Sequence, residues 1–232
     1  MIERALIFAA GRGERMRPLT DTTPKPLLPV RGKPMIVWHL EKLARAGVQE
    51  VVINTSHLST QFPQTLGDGS AWNLRIRYSY EGPEPLDSGG GMFRALAFLG
   101  HEPFIAVNGD IVTDFDFSTL PQNPSGVAHL IVVDNPAQHA NGDFVLRDGH
   151  LHDEITPRLT FAGIGVYRPS LLDGQTSGTF SMVPILREAM KRGEVTGEHY
   201  RGAWHDIGTP QRLADINGSL SAPRLVCAGT EP

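Results

Sequence analysis

Short apolar runs alternate with helical segments along the first half of the chain. The apolar runs predict strands over Ala5–Ala10, Val51–Asn54, Ile76–Tyr80 and Phe104–Val107. Apolar residues at helical spacing predict a helix over Pro34–Ala46, and shorter helices are predicted over Ser59–Leu66 and Gly91–Leu99. This order of elements is typical of parallel strands joined by right-handed crossovers. Such sheets bind ligands beyond the carboxyl ends of their strands, where we expect Gly11, Asn54, Glu81 and Asp110 to meet.

The second half of the chain has a different pattern of strands and helices. Strands are predicted over Val127–Val133, Thr160–Tyr167 and Ala203–Ile207, with a hairpin over Asp143–Leu151. Helices are predicted over Met182–Arg192 and Thr209–Leu220, the second with Thr209 as its N-cap and a proline in its first turn. No linker-like composition separates the halves. We therefore expect one domain over residues 1–220, a lid-like subdomain within its second half, and a loose tail over residues 221–232.

The composition is that of an ordinary globular chain, with 232 residues of which 40% are hydrophobic and 20% are charged. A net charge of −4 argues against general nucleic-acid binding, which usually involves a basic face. Cys227 is the single cysteine, which excludes a disulfide framework and a cysteine metal site. No run approaches the ~18 apolar residues of a membrane span, and the start MIERAL is not a signal peptide. We therefore expect a cytoplasmic protein with no membrane or nucleic-acid partner.

The segment ALIFAAGRGERMRPLTDTTPKPL carries the most specific chemistry in the chain. Gly11 and Gly13 follow the first strand, and glycines let backbone N–H groups approach an anion closely. Arg15 and Lys25 come soon afterwards and can hold polyanionic oxygens. The P-loop pattern is excluded because no Lys-Ser or Lys-Thr pair follows, and the dinucleotide fingerprint is excluded because Met16 stands at its third glycine. The segment predicts a phosphate site of another kind.

This segment resembles the signature of the sugar-1-phosphate nucleotidyltransferases, roughly G-x-G-x-R-[ML]-x-P-x-T followed by P-K-P. The matching positions are Gly11, Gly13, Arg15, Met16, Pro18, Thr20, Pro24, Lys25 and Pro26. The resemblance covers residues 1–220 and implies an α/β fold. This fold is a single Rossmann-like three-layer sandwich with a mixed, mainly parallel sheet, a nucleotide-binding half over residues 1–118 and a sugar-binding half over residues 119–220. It also implies that Arg15 and Lys25 are catalytic, and that the nucleotide contacts include Ala10, Gly11, Gly13, Glu14, Arg15 and Lys25.

Two acids are the candidate metal ligands that the resemblance implies. Asp110 ends the NGD element after a predicted strand, and Asp206 is the acid of the late WHDIGT element. The implied ion is Mg²⁺, which takes one or two carboxylates together with phosphate oxygens. Simpler interpretations are an Asn-Gly turn for the first element and a helix cap for the second. A rival is the DFD run at residues 114–116, which has the spacing used by metal-dependent glycosyltransferases, although those enzymes lack the glycine-rich segment.

The remaining candidate contacts also follow from the resemblance. Ser88 and Gly89 lie in the LDSGGG run and are expected to line the nucleobase, although Asp87 departs from the residues often seen there. A flexible entry to the next helix is the simpler interpretation of this run. The expected sugar contacts are Asn108, Gly142, Asp143, Glu154 and Gly163.

The stretches NGDIVTDFDF, VDNPAQHANGDF and GEHYRGAWHDIGT resemble the short members of the family that act on N-acetylmuramate 1-phosphate in peptidoglycan recycling. They imply transfer of UMP from UTP to that sugar phosphate. The alternative within the family is a mannose-1-phosphate guanylyltransferase or another hexose enzyme, although the usual E-K-P element is replaced here by His-Asp-Glu at residues 152–154.

A hypothesis from another class is a non-catalytic domain that senses nucleotide sugars. Such domains typically lose the catalytic cations or the metal-binding acids, whereas this chain keeps Arg15, Lys25, Asp110 and Asp206. The sequence therefore favours an enzyme with small-molecule substrates, as a monomer or small homo-oligomer. It does not identify the group that would pair with the lactyl carboxylate of a muramyl substrate.

Overall fold

The computed structural model of the protein describes residues 1–155 and 157–218. Its helices are α1 (Met35–Arg45), α2 (Gln61–Leu66), α3 (Asp87–Leu99), α4 (Met182–Lys191) and α5 (Pro210–Gly218). Its strands are β1 (Arg4–Phe8), β2 (Pro29–Val30), β3 (Lys33–Pro34), β4 (Glu50–Thr55), β5 (Arg75–Tyr80), β6 (Phe104–Asn108), β7 (Ile111–Thr113), β8 (Ala128–Val133), β9 (Val145–Arg147), β10 (His150–His152), β11 (Thr160–Tyr167), β12 (Val195–His199) and β13 (Trp204–Asp206). The expected tail, Cys227 and the last two residues expected in the closing helix lie outside the described residues.

Nine strands of the described chain form one sheet, in the order β5-β4-β1-β6-β11-β8-β12-β10-β9. β1 pairs in parallel with β4 and β6, and β4 pairs in parallel with β5. Only β10 and β11 run against the other strands of this sheet. The α/β fold with a mixed, mainly parallel sheet is therefore confirmed. The sheet contains strands from both halves of the chain, and the division into two halves stays a prediction.

Helices cover both faces of the sheet because side chains alternate along each strand. On β1, Ala5 and Ile7 pack in one core with α1 and α2, whereas Leu6 packs in a second core with α3 and α4. The predicted three-layer arrangement is confirmed by these two cores. A third, smaller core contains Met16, Trp38 and Ile207 and joins the segment after β1 to α1 and α5. Within the described residues, no helix has the length and apolarity needed to cross a membrane.

Two expectations about local structure are wrong. The LDSGGG run is not a loop before the helix, because α3 already begins at Asp87. A Cβ on Gly89 would lie 2.4 Å from the Phe180 ring, and one on Gly90 would lie 2.1 Å from the carbonyl oxygen of Gly178. The glycines therefore allow α3 to pack closely against its neighbour. The pattern also fails to predict β12, whose sequence VTGEH is polar although the strand lies between β8 and β10.

Candidate active site

The glycine-rich loop follows β1 and bends back on itself before a short 3-10 turn over Glu14–Met16. Gly13 has a φ of +65°, and a Cβ there would lie 2.9 Å from Cγ2 of Thr20 and 3.2 Å from Cβ of Lys25. The Thr20 hydroxyl donates to the carbonyl of Gly13 at 2.8 Å. Met16 is fully buried beneath the turn. The loop is therefore fixed by its own packing, with Gly11 exposed on its outer side.

A cavity of about 610 Å³ lies beside this loop, at the carboxyl ends of β1, β4 and β6. It brings together most of the residues expected to contact the nucleotide: Ala10, Gly11, Gly13, Glu14, Arg15, Lys25 and Ser88. Gly89 is absent from the lining and faces Phe180 instead. The Ser88 hydroxyl oxygen accepts a hydrogen bond from the Met182 backbone N–H at 3.0 Å, which joins the cavity wall to the start of α4.

The two candidate catalytic cations differ in their surroundings. Lys25 is only 9% exposed, and its Nζ lies 2.6 Å from Oδ2 of Asp110. This pair links the proline-flanked segment to the end of β6. Arg15 is exposed in the cavity and has no ion pair among the described residues. Its guanidinium is therefore available to an anionic ligand, whereas Lys25 is already oriented by a carboxylate.

The pairing of β7 with β13 brings the two candidate metal ligands together. Asp206 is the register partner of Ile111, and the Ile207 backbone N–H donates to the carbonyl of Asp110 at 2.9 Å. Both carboxylates line a second cavity of about 220 Å³. This smaller cavity adjoins the larger one, since Asn108 and Asp110 line both. Among the described residues, no cluster of three or more His, Cys, Asp or Glu side chains could hold a metal ion, so a cation here would need ligand oxygens as well.

Two side chains that the sequence patterns did not single out hold Asp206. Gln138 donates through Nε2 to Oδ1 of Asp206 at 2.6 Å, and Arg212 donates through Nη1 to Oδ2. Arg212 lies in the first turn of α5, where its backbone N–H also donates to the Thr209 hydroxyl at 3.3 Å. This contact agrees with Thr209 as the helix cap. The position of Arg212, a basic residue just after the WHDIGT element, could have indicated this contact from the sequence. Nothing in the sequence around Gln138 distinguishes that residue from other loop residues.

A buried carboxylate, that of Glu81, also belongs to the lining of the larger cavity. Glu81 is 6% exposed; its Oε1 accepts from Nδ2 of Asn54 at 2.6 Å and its Oε2 accepts from the Leu86 backbone N–H at 2.7 Å. Burial raises the pKa of Glu81, and these two hydrogen bonds oppose that shift. Asn54 also accepts from the Ala9 backbone N–H at 2.6 Å. The pair thus connects the ends of β1, β4 and β5.

The residues expected to contact the sugar lie in different places. Asn108 lines both cavities, and Gly163 lines the smaller one beside it. A Cβ on Gly163 would lie 2.6 Å from Nδ2 of Asn108, so a glycine is needed for that approach. Asp143 bonds His139, which lines the smaller cavity, while neither Gly142 nor Asp143 lines it. Glu154 lines neither cavity; it forms an exposed ion pair with Arg147 at 2.5 Å.

The fold and the site define a nucleotide-processing enzyme, and the comparisons give its family. The chain belongs to the nucleotidyl transferase family, whose profile matches residues 4–139. The structure is similar to that of a putative glucose-1-phosphate thymidylyltransferase from Bacillus anthracis, solved with a sucrose. The TM-score is 0.80 over 92% of this chain and 93% of that one, and at 22% identity this similarity concerns the fold alone.

Several relatives are similar over most of the chain. N-acetylmuramate alpha-1-phosphate uridylyltransferase of Neisseria meningitidis serogroup B is 48% identical over 94% of this chain and 99% of its own length. The enzyme of that name from Caulobacter vibrioides is 31% identical over 89% of this chain and 92% of its own length. Mannose-1-phosphate guanylyltransferase catalytic subunit beta of Drosophila melanogaster is 31% identical over 90% of this chain but only 60% of its own length. The chain is a nucleotidyltransferase.

Proposed function

We propose that the protein transfers UMP from UTP to N-acetylmuramate α-1-phosphate, with UDP-N-acetylmuramate and pyrophosphate as products, in peptidoglycan recycling. The 48% identity to a uridylyltransferase of that specificity, over nearly the full length of both chains, supports this substrate pair. The mannose-specific relative from Drosophila is much longer than this chain, which favours the muramate reaction over the guanylyltransferase alternative. Nucleoside triphosphates are cytoplasmic metabolites, so the proposed reaction belongs in the cytoplasm.

The observation that carries the proposal is the junction of the two cavities at Asn108 and Asp110. The larger cavity, about 610 Å³, has the glycine loop and Arg15, which forms no ion pair within residues 1–155 and 157–218, and it suits a nucleoside triphosphate. The smaller cavity, about 220 Å³, is lined by polar and carboxylate groups among other residues, and it suits a sugar phosphate. Two substrates bound in adjoining cavities would meet at Lys25 and Asp110, where transfer takes place.

The chemistry needs positioning and charge neutralisation more than proton transfer. An oxygen of the sugar 1-phosphate attacks the α-phosphorus of UTP, the bond from that phosphorus to the bridging oxygen breaks, and pyrophosphate leaves with the electron pair. The nucleophile is already anionic, so no general base is required. Arg15 and the loop N–H groups of Gly11 and Gly13 stabilise the charge that grows on pyrophosphate. Lys25, oriented by Asp110, holds oxygens at the α-phosphorus and the incoming phosphate in line.

We propose Mg²⁺ as the cofactor, held by Asp110 and Asp206. Lys25 contacts Oδ2 of Asp110, which leaves Oδ1 for a cation, and both carboxylates face the smaller cavity. Two carboxylates beside bound phosphates are the ligand set that Mg²⁺ prefers. When bound, the ion supplies Lewis-acid stabilisation of the phosphate charges. Gln138 and Arg212 orient Asp206 through its two oxygens, as outer-shell partners do in metal sites.

A matrix of substrates tests the proposed function. Pyrophosphate release is measured for four nucleoside triphosphates against the 1-phosphates of N-acetylmuramate, N-acetylglucosamine, glucose and mannose. UTP with the muramyl substrate should exceed UTP with the N-acetylglucosamine substrate by ~10³-fold or more, since sites built for a charged group reject analogues that lack it. Comparable rates with muramate and mannose would overturn the substrate assignment. Binding of nucleotide without pyrophosphate release from any pair would instead support a non-catalytic sensing domain.

The oligomeric state can be measured on the same purified protein. We propose a monomer or a small homo-oligomer, with small-molecule substrates as its partners. Light scattering of the purified protein, with and without UTP, measures the mass in solution. A mass corresponding to a large assembly would contradict this proposal without affecting the proposed reaction.

A further inference from the structure

The turn at residues 137–139 is held firmly against the sheet. The Asn135 side chain accepts through Oδ1 from the Thr160 hydroxyl at 2.8 Å, which ties the loop to β11. The Gly142 backbone N–H donates to the carbonyl of His139 at 3.2 Å. Gly142 has a φ of +60°, and a Cβ there would lie 2.7 Å from Oδ1 of Asn135. The loop therefore needs a glycine at this position to close, and it presents His139 from a fixed backbone.

The His139 ring is oriented by a carboxylate. Its Nε2 lies 3.0 Å from Oδ1 of Asp143, and Oδ2 of Asp143 accepts from the Phe161 backbone N–H at 2.8 Å. A carboxylate can only accept here, so Nε2 is the donor, and Nδ1 becomes a second donor when the ring is protonated. The imidazole is 44% exposed and lines the smaller cavity. The ring is therefore partly open to a ligand in this cavity.

The charges around the smaller cavity make His139 distinctive. Among the described residues that line it, His139 alone can carry a positive charge, while Asp110 and Asp206 carry negative charges. The neighbouring cations Lys25 and Arg212 are already paired with those two acids. A ligand with a carboxylate besides its phosphate would be repelled by the acids. Its carboxylate needs a donor elsewhere on the cavity wall, and the His139 ring can provide one.

We propose that His139 binds the lactyl carboxylate of N-acetylmuramate α-1-phosphate and so selects this sugar over N-acetylglucosamine 1-phosphate, which lacks the group. The inference rests on the proposed function and adds the residue that recognises the sugar. Asp143 acts as a positioning residue for the ring. Gln138, the preceding residue, bonds Asp206, so one turn contacts both the sugar and the site of transfer.

The test measures kcat and KM for both sugar phosphates at saturating UTP, in the wild type and three variants. His139→Gln should lower the ratio of kcat/KM for the muramyl substrate to that for the N-acetylglucosamine substrate by about tenfold to a hundredfold, the size of a charge-assisted hydrogen bond. The change should fall mainly on KM. His139→Arg retains a cation and should recover part of the preference. His101→Gln is the control, because His101 is exposed and lines neither cavity.

The remaining outcomes would contradict either this inference or the proposed function. An unchanged ratio in His139→Gln would exclude the residue from sugar selection. Equal losses with both sugars in both His139 variants, accompanied by a lower melting temperature, would mean that the ring only supports its loop. A wild-type enzyme that does not prefer the muramyl substrate would refute the proposed function itself. A wild-type preference that survives in His139→Gln would refute only the present inference.

Discussion

Gly91→Ala probes the buried wall of the larger cavity without replacing a charged residue. Gly91 lies in α3 directly behind the pair formed by Asn54 and Glu81. A Cβ at this position would lie 2.4 Å from Oε1 of Glu81 and 2.7 Å from Nδ2 of Asn54. These two atoms are themselves only 2.6 Å apart, and both residues are buried. The new methyl group must therefore separate them or displace the helix.

One stabilising and two destabilising effects determine the expected change in the free energy of unfolding. Alanine in place of glycine within a helix stabilises by about 1 kcal/mol. Displacement of side chains in a packed region costs about 1–3 kcal/mol, and loss of a hydrogen bond to a charged group costs about 1.5–3 kcal/mol. The displaced Glu81 cannot recover its partner from solvent because it is buried. Gly91→Ala should therefore lower the free energy of unfolding by about 2–4 kcal/mol.

Urea denaturation measures this change, and initial rates at varied UTP measure its effect on the cavity. KM for UTP should rise, because Asn54 also fixes the backbone of Ala9 at the start of the glycine loop. Gly178→Ala is the matched control, since nothing lies within 4 Å of a Cβ at that position. A Gly91→Ala variant as stable as the wild type, or more stable, would refute the reasoning, because helix propensity would then outweigh the contact.

Three further predictions concern charged and buried groups. Asp110→Asn should lower kcat about a thousandfold and should also lower the melting temperature, because the nearly buried Lys25 loses its charged partner. Asp173→Asn, which changes an exposed acid outside both cavities, should affect neither quantity; near-normal turnover of Asp110→Asn would remove Asp110 from the metal site. Arg15→Ala should raise KM for UTP far more than KM for the sugar phosphate, whereas the exposed Arg17→Ala should change neither, and the opposite pattern would reverse the assignment. Burial lowers the pKa of His39 from 6.5 to about 4. Between these pH values the unfolded chain gains a proton that the folded protein excludes, so stability should fall by about 3 kcal/mol as the pH drops. Urea titrations across this range should show a smaller decrease for His39→Asn, and an equal decrease would contradict the assignment.

Most of the lining of the larger cavity could be predicted because it comes from one contiguous segment of the sequence. The glycines, Arg15 and Lys25 come from one short segment, and the carboxyl end of β1 is where a parallel sheet binds ligands. The apolar run that begins at Ala5 predicted a buried strand, and its side chains are divided between two cores, with Ala5 and Ile7 in one and Leu6 in the other. In this part of the chain the local sequence pattern is enough to predict the structure, because the strand and the loop come from one short segment.

Contacts between distant segments could not be predicted in this way. Gln138 approaches Asp206 from a polar turn that lies 68 residues earlier in the chain. The glycine run before Gly91 has low helix propensity, yet close packing against Phe180 holds it in α3. Glu154 occupies the region of the family's acid, but it pairs with Arg147 across the β9–β10 hairpin. Its role as a sugar contact stays a prediction.

The pairing of β7 with β13 joins residues that are synthesised early to residues that are synthesised late. The glycine loop, Lys25 and Asp110 emerge from the ribosome with the first half of the chain, whereas Asp206 and the helix after it emerge near the end. A chain released by premature termination before β13 keeps most residues of the larger cavity and lacks the second carboxylate. Because Ile207 and α5 complete the core that contains Met16, such a chain would also lack the packing beneath the glycine loop, and we expect it to bind nucleotide poorly.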